Sequence, residues 1–180
     1  GGALLTADPV DAVAVFDADR NGTLDFLLGS ADGAQIYVVD AQGEITLSDR
    51  PVPWEVGDVG VIPFDADADT RDDLLVYGAN GIRILRNQEA GFAVANSAAL
   101  GLPDLGAVTS AQAIDFDRDG DVDIIAGGAN GLRIIRNNAV GRTEVPVVTL
   151  DIRREKQPDP PEGQTERDAV GTVVLLDYDA

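Results

Sequence analysis

The sequence predicts an all-β fold, and three observations lead to that prediction. One pattern occurs three times along the 180 residues, with starting points 48 and 50 residues apart. The apolar runs within each copy are three to six residues long, which suits short strands better than helices. Between these runs lie Ala-Asp-Gly and Ala-Asn-Gly, which favour hairpin turns because Asn and Gly tolerate positive φ.

Each copy of the pattern contains predicted strands in the same order. A first apolar run, as at 12–16 and 60–64, leads into an acidic loop. The second run leaves that loop at 26–28, 74–77 and 124–126. A third strand alternates in character, as at 82–85, and a Gly-containing turn leads to a fourth, as at 92–94. Four short antiparallel strands in 48–50 residues match one blade of a β-propeller.

The repeats lead us to interpret the chain as one partial β-propeller domain over 1–180. The approximate blade bounds are 10–50, 58–97 and 108–152. Propellers close with about four to eight blades, so three do not complete a ring. Because the chain begins at Gly and contains no Met, we expect a processed or excised piece of a longer protein.

The last part of the chain departs from the regular spacing. Asp115 and Asp177 are 62 residues apart, and a Pro-rich, charged stretch at 154–165 lies between them. If that stretch is a 12-residue inserted surface loop, the 50-residue period is restored. Residues 166–180 are then predicted to be the truncated start of a fourth blade.

Composition excludes several classes of function. The chain carries 32 acidic and 13 basic residues, and its net charge of -19 disfavours nucleic acid as a partner. Without Cys there is no disulfide framework, thiol catalysis or cysteine-ligated zinc, and without His the usual general base is missing. No apolar run approaches the ~18 residues of a membrane-spanning helix. No unrepeated carboxylate suggests catalysis, so we do not expect an enzyme.

The acidic loops, at 17–25, 65–73 and 115–123, contain 13 of the 32 acidic residues. Oxygen-bearing side chains recur at loop positions 1, 3, 5 and 9: Asp17, Asp19, Asn21 and Asp25; Asp65, Asp67, Asp69 and Asp73; Asp115, Asp117, Asp119 and Asp123. Carboxylates so close repel one another unless a cation lies among them. Oxygen donors without nitrogen or sulfur favour Ca²⁺, about one ion per repeat. A further ligand is expected from the carbonyl group at position 7: Thr23, Arg71 and Asp121.

The acidic loops have two other interpretations. An EF-hand needs a bidentate Glu at position 12, where this chain has Leu28, Val76 and Ala126, so that motif is excluded. Solvated Asp-rich turns without metal remain an alternative, because Asp, Asn and Gly are common in turns. The occurrence of three copies with the same spacing favours bound metal over metal-free turns.

Asp-x-Asp-x-Asp-Gly-x-x-Asp followed by an apolar strand resembles the FG-GAP (VCBS-type) repeat of integrin-α-like β-propellers, over about residues 10–140. The resemblance implies one calcium per blade, bound by the loop between the first two strands through the residues given above. The second loop departs from the family pattern with Thr70 in place of Gly and with Asp72 added. In the first loop Asn21 is a neutral ligand. The segment from Arg167 to Gly171 is also similar to the start of an ASPIC/UnbV segment, which is the rival interpretation of 166–180.

These observations predict a calcium-binding, non-catalytic interaction scaffold from an extracytoplasmic protein, whether secreted, periplasmic or on the cell surface. Its partner would be a protein or glycan ligand or a neighbouring domain, without membrane insertion. The alternative is an accessory propeller of a polysaccharide-active enzyme whose catalytic residues lie outside this chain. Several copies completing a ring is a further hypothesis. The recurring arginines of the third strands are expected to pair with nearby Asp, and Trp54 to pack between blades.

Overall fold

The computed structural model describes residues 9–96, 100–137 and 147–150, the last range in backbone only. All regular elements within these residues are strands. They are β1 (Ala12–Phe16), β2 (Asp25–Ser30), β3 (Gly33–Val39), β4 (Ile45–Leu47), β5 (Asp58–Phe64), β6 (Asp73–Gly78), β7 (Gly81–Gln88), β8 (Gly91–Val94), β9 (Val108–Ile114), β10 (Asp123–Gly128), β11 (Gly131–Ile135) and β12 (Val147–Leu150).

The strands form three four-stranded sheets, each joining consecutive strands in antiparallel order. We call them blade 1 (β1–β4), blade 2 (β5–β8) and blade 3 (β9–β12). The predicted all-β architecture of four-stranded propeller blades is therefore confirmed. The division at 10–50, 58–97 and 108–152 stays a prediction, and the expectations for 154–165 and 166–180 fall outside the described residues.

The first strands of the blades lie side by side, with β1 against β5 and β5 against β9. Two apolar layers fill the junctions between the blades. In blade 2, Leu74 and Val76 pack toward blade 1, whereas Leu75 packs toward blade 3. Since blade 2 is covered on both faces, β6 is apolar at successive positions, as expected for a strand buried on both sides.

Among the residues that the structure describes, blade 1 packs against another blade on one face only. In β1, Ala14 and Phe16 are buried against blade 2, while Val13 and Val15 are 58% and 48% exposed. This alternation follows from the two-residue period of a strand. Trp54, which is half-buried, packs into the layer between blades 1 and 2, as predicted.

A single pairing register in all three blades positions the acidic loops. Phe16 pairs with Asp25, and the equivalent pairs are Phe64 with Asp73 and Ile114 with Asp123. Each acidic loop therefore joins two directly paired residues at the same end of its blade. No helix long and apolar enough to cross a membrane occurs within the described part of the chain.

Candidate metal centres

Each acidic loop brings three carboxylates together. In every loop the side chains at positions 1, 3 and 9 place one oxygen each within 4.8 Å of the others. The three clusters are Asp17, Asp19 and Asp25; Asp65, Asp67 and Asp73; Asp115, Asp117 and Asp123. These nine residues were predicted as ligands, and the structure places them at three equivalent positions in the blades.

The aspartate at position 9 lies beneath each loop. Asp25, Asp73 and Asp123 are 0%, 1% and 0% exposed. Each accepts two backbone N–H groups, one from position 2 of its own loop and one from a residue 14 positions further along the chain, at or just beyond the end of the third strand. For Asp25 the donors are Ala18, at 2.9 Å, and Val39, at 2.8 Å. The equivalent bonds to the other two aspartates measure 3.3 and 2.7 Å, and 2.9 and 2.8 Å.

The aspartate at position 1 accepts N–H groups from the turn of the loop. Asp17 accepts Asn21 at 3.0 Å and Gly22 at 2.9 Å, and Asp65 accepts the equivalent Asp69 and Thr70 at 3.1 and 2.8 Å. The third loop repeats the second of these bonds, from Gly120 to Asp115 at 3.3 Å. These bonds fold the loop back upon its first carboxylate, so the cluster is held by the backbone.

Asp69 and Asp119, at position 5 of the second and third loops, lie outside the three-carboxylate clusters. The side-chain oxygens of Asn21, Asp69 and Asp119 instead accept the backbone N–H of position 7, at 2.8, 2.8 and 3.0 Å. At position 7 the Thr23 hydroxyl is within hydrogen-bonding distance of Asn21 Oδ1 and the Val39 carbonyl. Arg71 pairs with Asp69, at 3.7 Å, and Asp121 is 5% exposed. The predicted ligand roles of positions 5 and 7 stay predictions.

The loops need left-handed backbone at two positions. Position 4 has positive φ at Arg20 (66°), Ala68 (59°) and Arg118 (63°). Position 6 also has positive φ, which Gly22 and Gly120 adopt without steric cost, whereas Thr70 adopts 69° with a β-branched side chain. The Gly-to-Thr departure noted in the sequence therefore strains the second loop without changing its path.

Arginine side chains enter two of the three clusters. Arg86 Nη1 lies 2.6 Å from Asp67 Oδ2 and 2.9 Å from Asp73 Oδ2. Arg136 Nη1 lies 3.4 Å from Asp117 Oδ2 in blade 3, whereas blade 1 has Val38 at this position. The guanidinium group occupies a position that a metal cation could take, so the carboxylate oxygens of these loops suit a positive charge.

The prediction that the recurring arginines pair with Asp is confirmed for three of the four. Besides Arg86 and Arg136, Arg83 pairs with Asp58 and, at 3.0 Å, with Glu55. Arg133 donates to the Leu132 carbonyl at 3.0 Å. The sequence reasoning missed that Arg86 and Arg136 enter the metal loops. Their common distance of 13 residues after the position 9 aspartate was the available signal.

Burial sets the electrostatics of the clusters. It raises the pKa of Asp73, opposed by the Asn87 N–H and the Arg86 charge. It also raises the pKa of Asp123, where the N–H groups of Asn137 and Phe116 oppose the shift. The pKa of Asp72 is raised by burial and by the nearby Asp65 and Asp17 carboxylates. A cation among these groups would stabilise the ionised forms.

Two comparisons relate this chain to known proteins. Residues 65–126 match the family model described as an FG-GAP-like repeat, so the predicted resemblance is confirmed and the chain carries such a repeat. One of nine matching solved chains is an Agrocybe aegerita lectin described by its specific recognition of non-reducing terminal N-acetylglucosamine. The match is 19% identical with a TM-score of 0.55, and covers 77% of this chain and 38% of the lectin chain. This similarity shows a shared propeller-like fold. No curated protein matches the sequence.

The strain at Thr70 predicts a stabilising substitution. A left-handed non-Gly residue costs about 1–2 kcal/mol, and the greater freedom of an unfolded Gly returns about 0.5–1 kcal/mol. Thr70→Gly should therefore raise the free energy of unfolding by about 0.5–1 kcal/mol. Denaturant unfolding measures the change. Thr46→Gly, in the exposed strand β4, is the matched control and should destabilise. A Thr70→Gly protein less stable than wild type would contradict the interpretation.

The raised pKa values predict how metal-free stability depends on pH. An unfolded Asp releases its proton near pH 3.9, whereas burial keeps the protons of Asp73 and Asp123 on the folded chain to higher pH. Above about pH 3.9 the folded state therefore binds more protons than the unfolded state does. The free energy of unfolding should then fall as pH rises from the unfolded pKa through the higher folded pKa values. Unfolding in EDTA from about pH 4.5 to 7.5 tests this. Asp73→Asn removes one titration, and an undiminished slope in that variant would count against the assignment.

Proposed function

We propose that each acidic loop binds one Ca²⁺ ion and that the segment is a calcium-stabilised, non-catalytic interaction scaffold. The observation that supports this most is the occurrence of the same three-carboxylate cluster, with the same two backbone hydrogen bonds to its position 9 carboxylate, in three successive blades. Ligands would be the side chains at positions 1, 3, 5 and 9 and the carbonyl of position 7. Calcium suits this set because it accepts six to eight oxygens in flexible geometry.

Bound calcium would remove the main electrostatic cost of the loops. The position 9 carboxylates are buried, and burial disfavours the ionised form of Asp73 and Asp123. An ion held by positions 1, 3 and 9 would offset this cost while joining both ends of the loop. The two paired strands that the loop connects would then be fixed together.

The three sites are proposed to differ in how they balance charge. In blades 2 and 3, calcium would take the place of the Arg86 and Arg136 guanidinium groups among the carboxylates. Blade 1 has Val38 at that position and no arginine to displace, but Asn21 contributes a neutral ligand. Cation dependence should therefore be strongest in blade 1, where none of the described residues places a guanidinium among the carboxylates.

An extracytoplasmic location is proposed from the same chemistry. Free calcium near 1 mM outside cells would fill even the weak class of oxygen-ligand sites. The lectin neighbour is described by its recognition of a terminal sugar, which supports a glycan as the ligand of the scaffold, with a protein ligand as the other possibility tested below. The alternative, an accessory propeller of a polysaccharide-active enzyme, would place the chemistry outside this chain.

Calcium removal should lower the melting temperature. A ligand at 100 times its Kd stabilises a one-site protein by about 2.7 kcal/mol, so three filled sites should give a large shift between calcium and excess EDTA. Asp17→Asn combined with Asp19→Asn should remove part of the shift. Asp32→Asn, an exposed aspartate in the β2–β3 turn, should leave it unchanged. An EDTA melt identical to the calcium melt would show that the metal proposal is wrong.

The scaffold proposal predicts binding without turnover. A glycan array and hydrolysis assays on the full-length parent should give bound glycan or protein and no cleavage. Cleavage abolished by substitutions outside this chain would instead support the accessory role.

Native mass measurement tests ring completion by further copies. Ile114 is 49% exposed although its blade 2 equivalent, Phe64, is buried against blade 3, which favours a contact at that face. A strictly monomeric chain would contradict it.

A further inference from the structure

Two asparagines, the buried Asn87 and the partly buried Asn137, link neighbouring blades at equivalent places. Asn87 Nδ2 donates to the Ala18 carbonyl of the first acidic loop at 3.2 Å, and its backbone N–H donates to Asp73 of the second at 2.7 Å. Asn137 makes the same pair of bonds one blade further on, to Ala66 at 2.9 Å and Asp123 at 2.8 Å. We call each of these two-ended contacts an interblade bridge. Each bridge joins the metal loop of one blade to the buried carboxylate of the next.

The bridge between blades 1 and 2 is fixed by its surroundings. Asn87 is 4% exposed, and its Oδ1 accepts Arg50 Nη2 at 2.7 Å. Because a guanidinium only donates, it requires the amide oxygen on that side and leaves Nδ2 directed at the Ala18 carbonyl. Nδ2 also donates to the Asp72 carbonyl at 3.1 Å. The Arg50 guanidinium lies 5.5 Å from the centre of the Phe92 ring, which holds it in place.

Each bridge contacts the carbonyl between two cluster carboxylates of one loop and the position 9 carboxylate of the next loop. Ala18 lies between Asp17 and Asp19, so its carbonyl can move little once a cation holds both neighbours. The other end of the bridge holds Asp73, the position 9 carboxylate of the next cluster. Blade 1 has Val39 at the equivalent position, which keeps the backbone N–H bond to Asp25 but has no side-chain amide.

We propose that Asn87 and Asn137 couple successive metal loops, so that a cation bound in one blade favours binding in the next. This proposal rests on the proposed calcium binding. A cation in the first loop orders the Ala18 peptide, the ordered peptide holds the asparagine side chain, and the asparagine holds Asp73 in its binding position. The second ion then meets a loop whose conformational entropy has already been reduced, which gives positive cooperativity.

A double-mutant cycle in calcium affinity tests the coupling. Calcium is titrated into the full chain, and the amide resonances of Gly22, Thr70 and Gly120 report on the three loops separately. Asp17→Asn combined with Asp19→Asn disables the first loop and should weaken calcium binding at the second about fivefold, at the low end of typical coupling. Asn87→Val, which introduces the residue type of blade 1, should reduce that ratio to about one.

The outcomes separate the coupling from a purely structural role. A structural asparagine would lower the melting temperature on substitution but leave the ratio between the loops unchanged, and that result would overturn the proposal. Asn80→Ser, at an exposed turn, is the control and should leave the ratio as in wild type.

A second junction keeps the test independent of how well one variant folds. Asn137→Val, measured with the second loop disabled by Asp65→Asn and Asp67→Asn, should uncouple the third loop in the same way. Unchanged coupling there would overturn the proposal equally. If no amide in any loop responds to calcium, the proposed calcium binding fails; if all respond independently, the coupling alone fails.

Discussion

The buried aspartate at loop position 9 is the constraint on which the rest of the structure depends. Its carboxylate accepts one N–H from its own loop and one from the end of the third strand, so it ties three parts of a blade together. The strand register pairs it with the last residue of the first strand, which directly precedes the acidic loop, as in the Phe16–Asp25 pair. A carboxylate is costly to bury, and at Asp73 and Asp123 the hydrogen bonds offset only part of that cost, so burial still raises the pKa of both groups. The remainder makes the loop a favourable place for a cation.

Apolar and polar contacts between the blades have different roles. The layers that include Leu74 and Leu75 hold the sheets face to face, but hydrophobic packing is non-directional and does not by itself set where one loop lies relative to the next. Directional hydrogen bonds do so, and Asn87 supplies them at one junction and Asn137 at the other. A polar line of contacts thus runs along the loop end of the blades, beside the apolar layers.

Sequence alone predicted the parts of the molecule that repeat locally. The apolar runs, the turn residues and the carboxylates of each loop lie within a few residues of one another, so their spacing predicts strands and a shared cluster. It did not predict the contacts of Asn87 or Arg86, because their partners lie in other elements. Ala18 is 69 residues from Asn87, and Asp67 lies in the β5–β6 loop whereas Arg86 lies in β7. The repeated Arg-Asn pair at 86–87 and 136–137 was visible, but its meaning depends on how the blades stack.

The same stacking explains why a chain of this acidity can fold around such loops. Each cluster gathers negative charge at one end of a blade, and neighbouring clusters are close enough for the Asp17 carboxylate to raise the pKa of Asp72 in the next blade. Arginines relieve the repulsion in blades 2 and 3, where Arg86 and Arg136 lie in the clusters, but not in blade 1. Charge neutralisation in one loop therefore lowers the electrostatic cost in its neighbour. Since cations in adjacent loops also repel each other, this through-space effect does not itself favour filling both loops, and the proposed cooperativity depends on the hydrogen bonds of the interblade bridges.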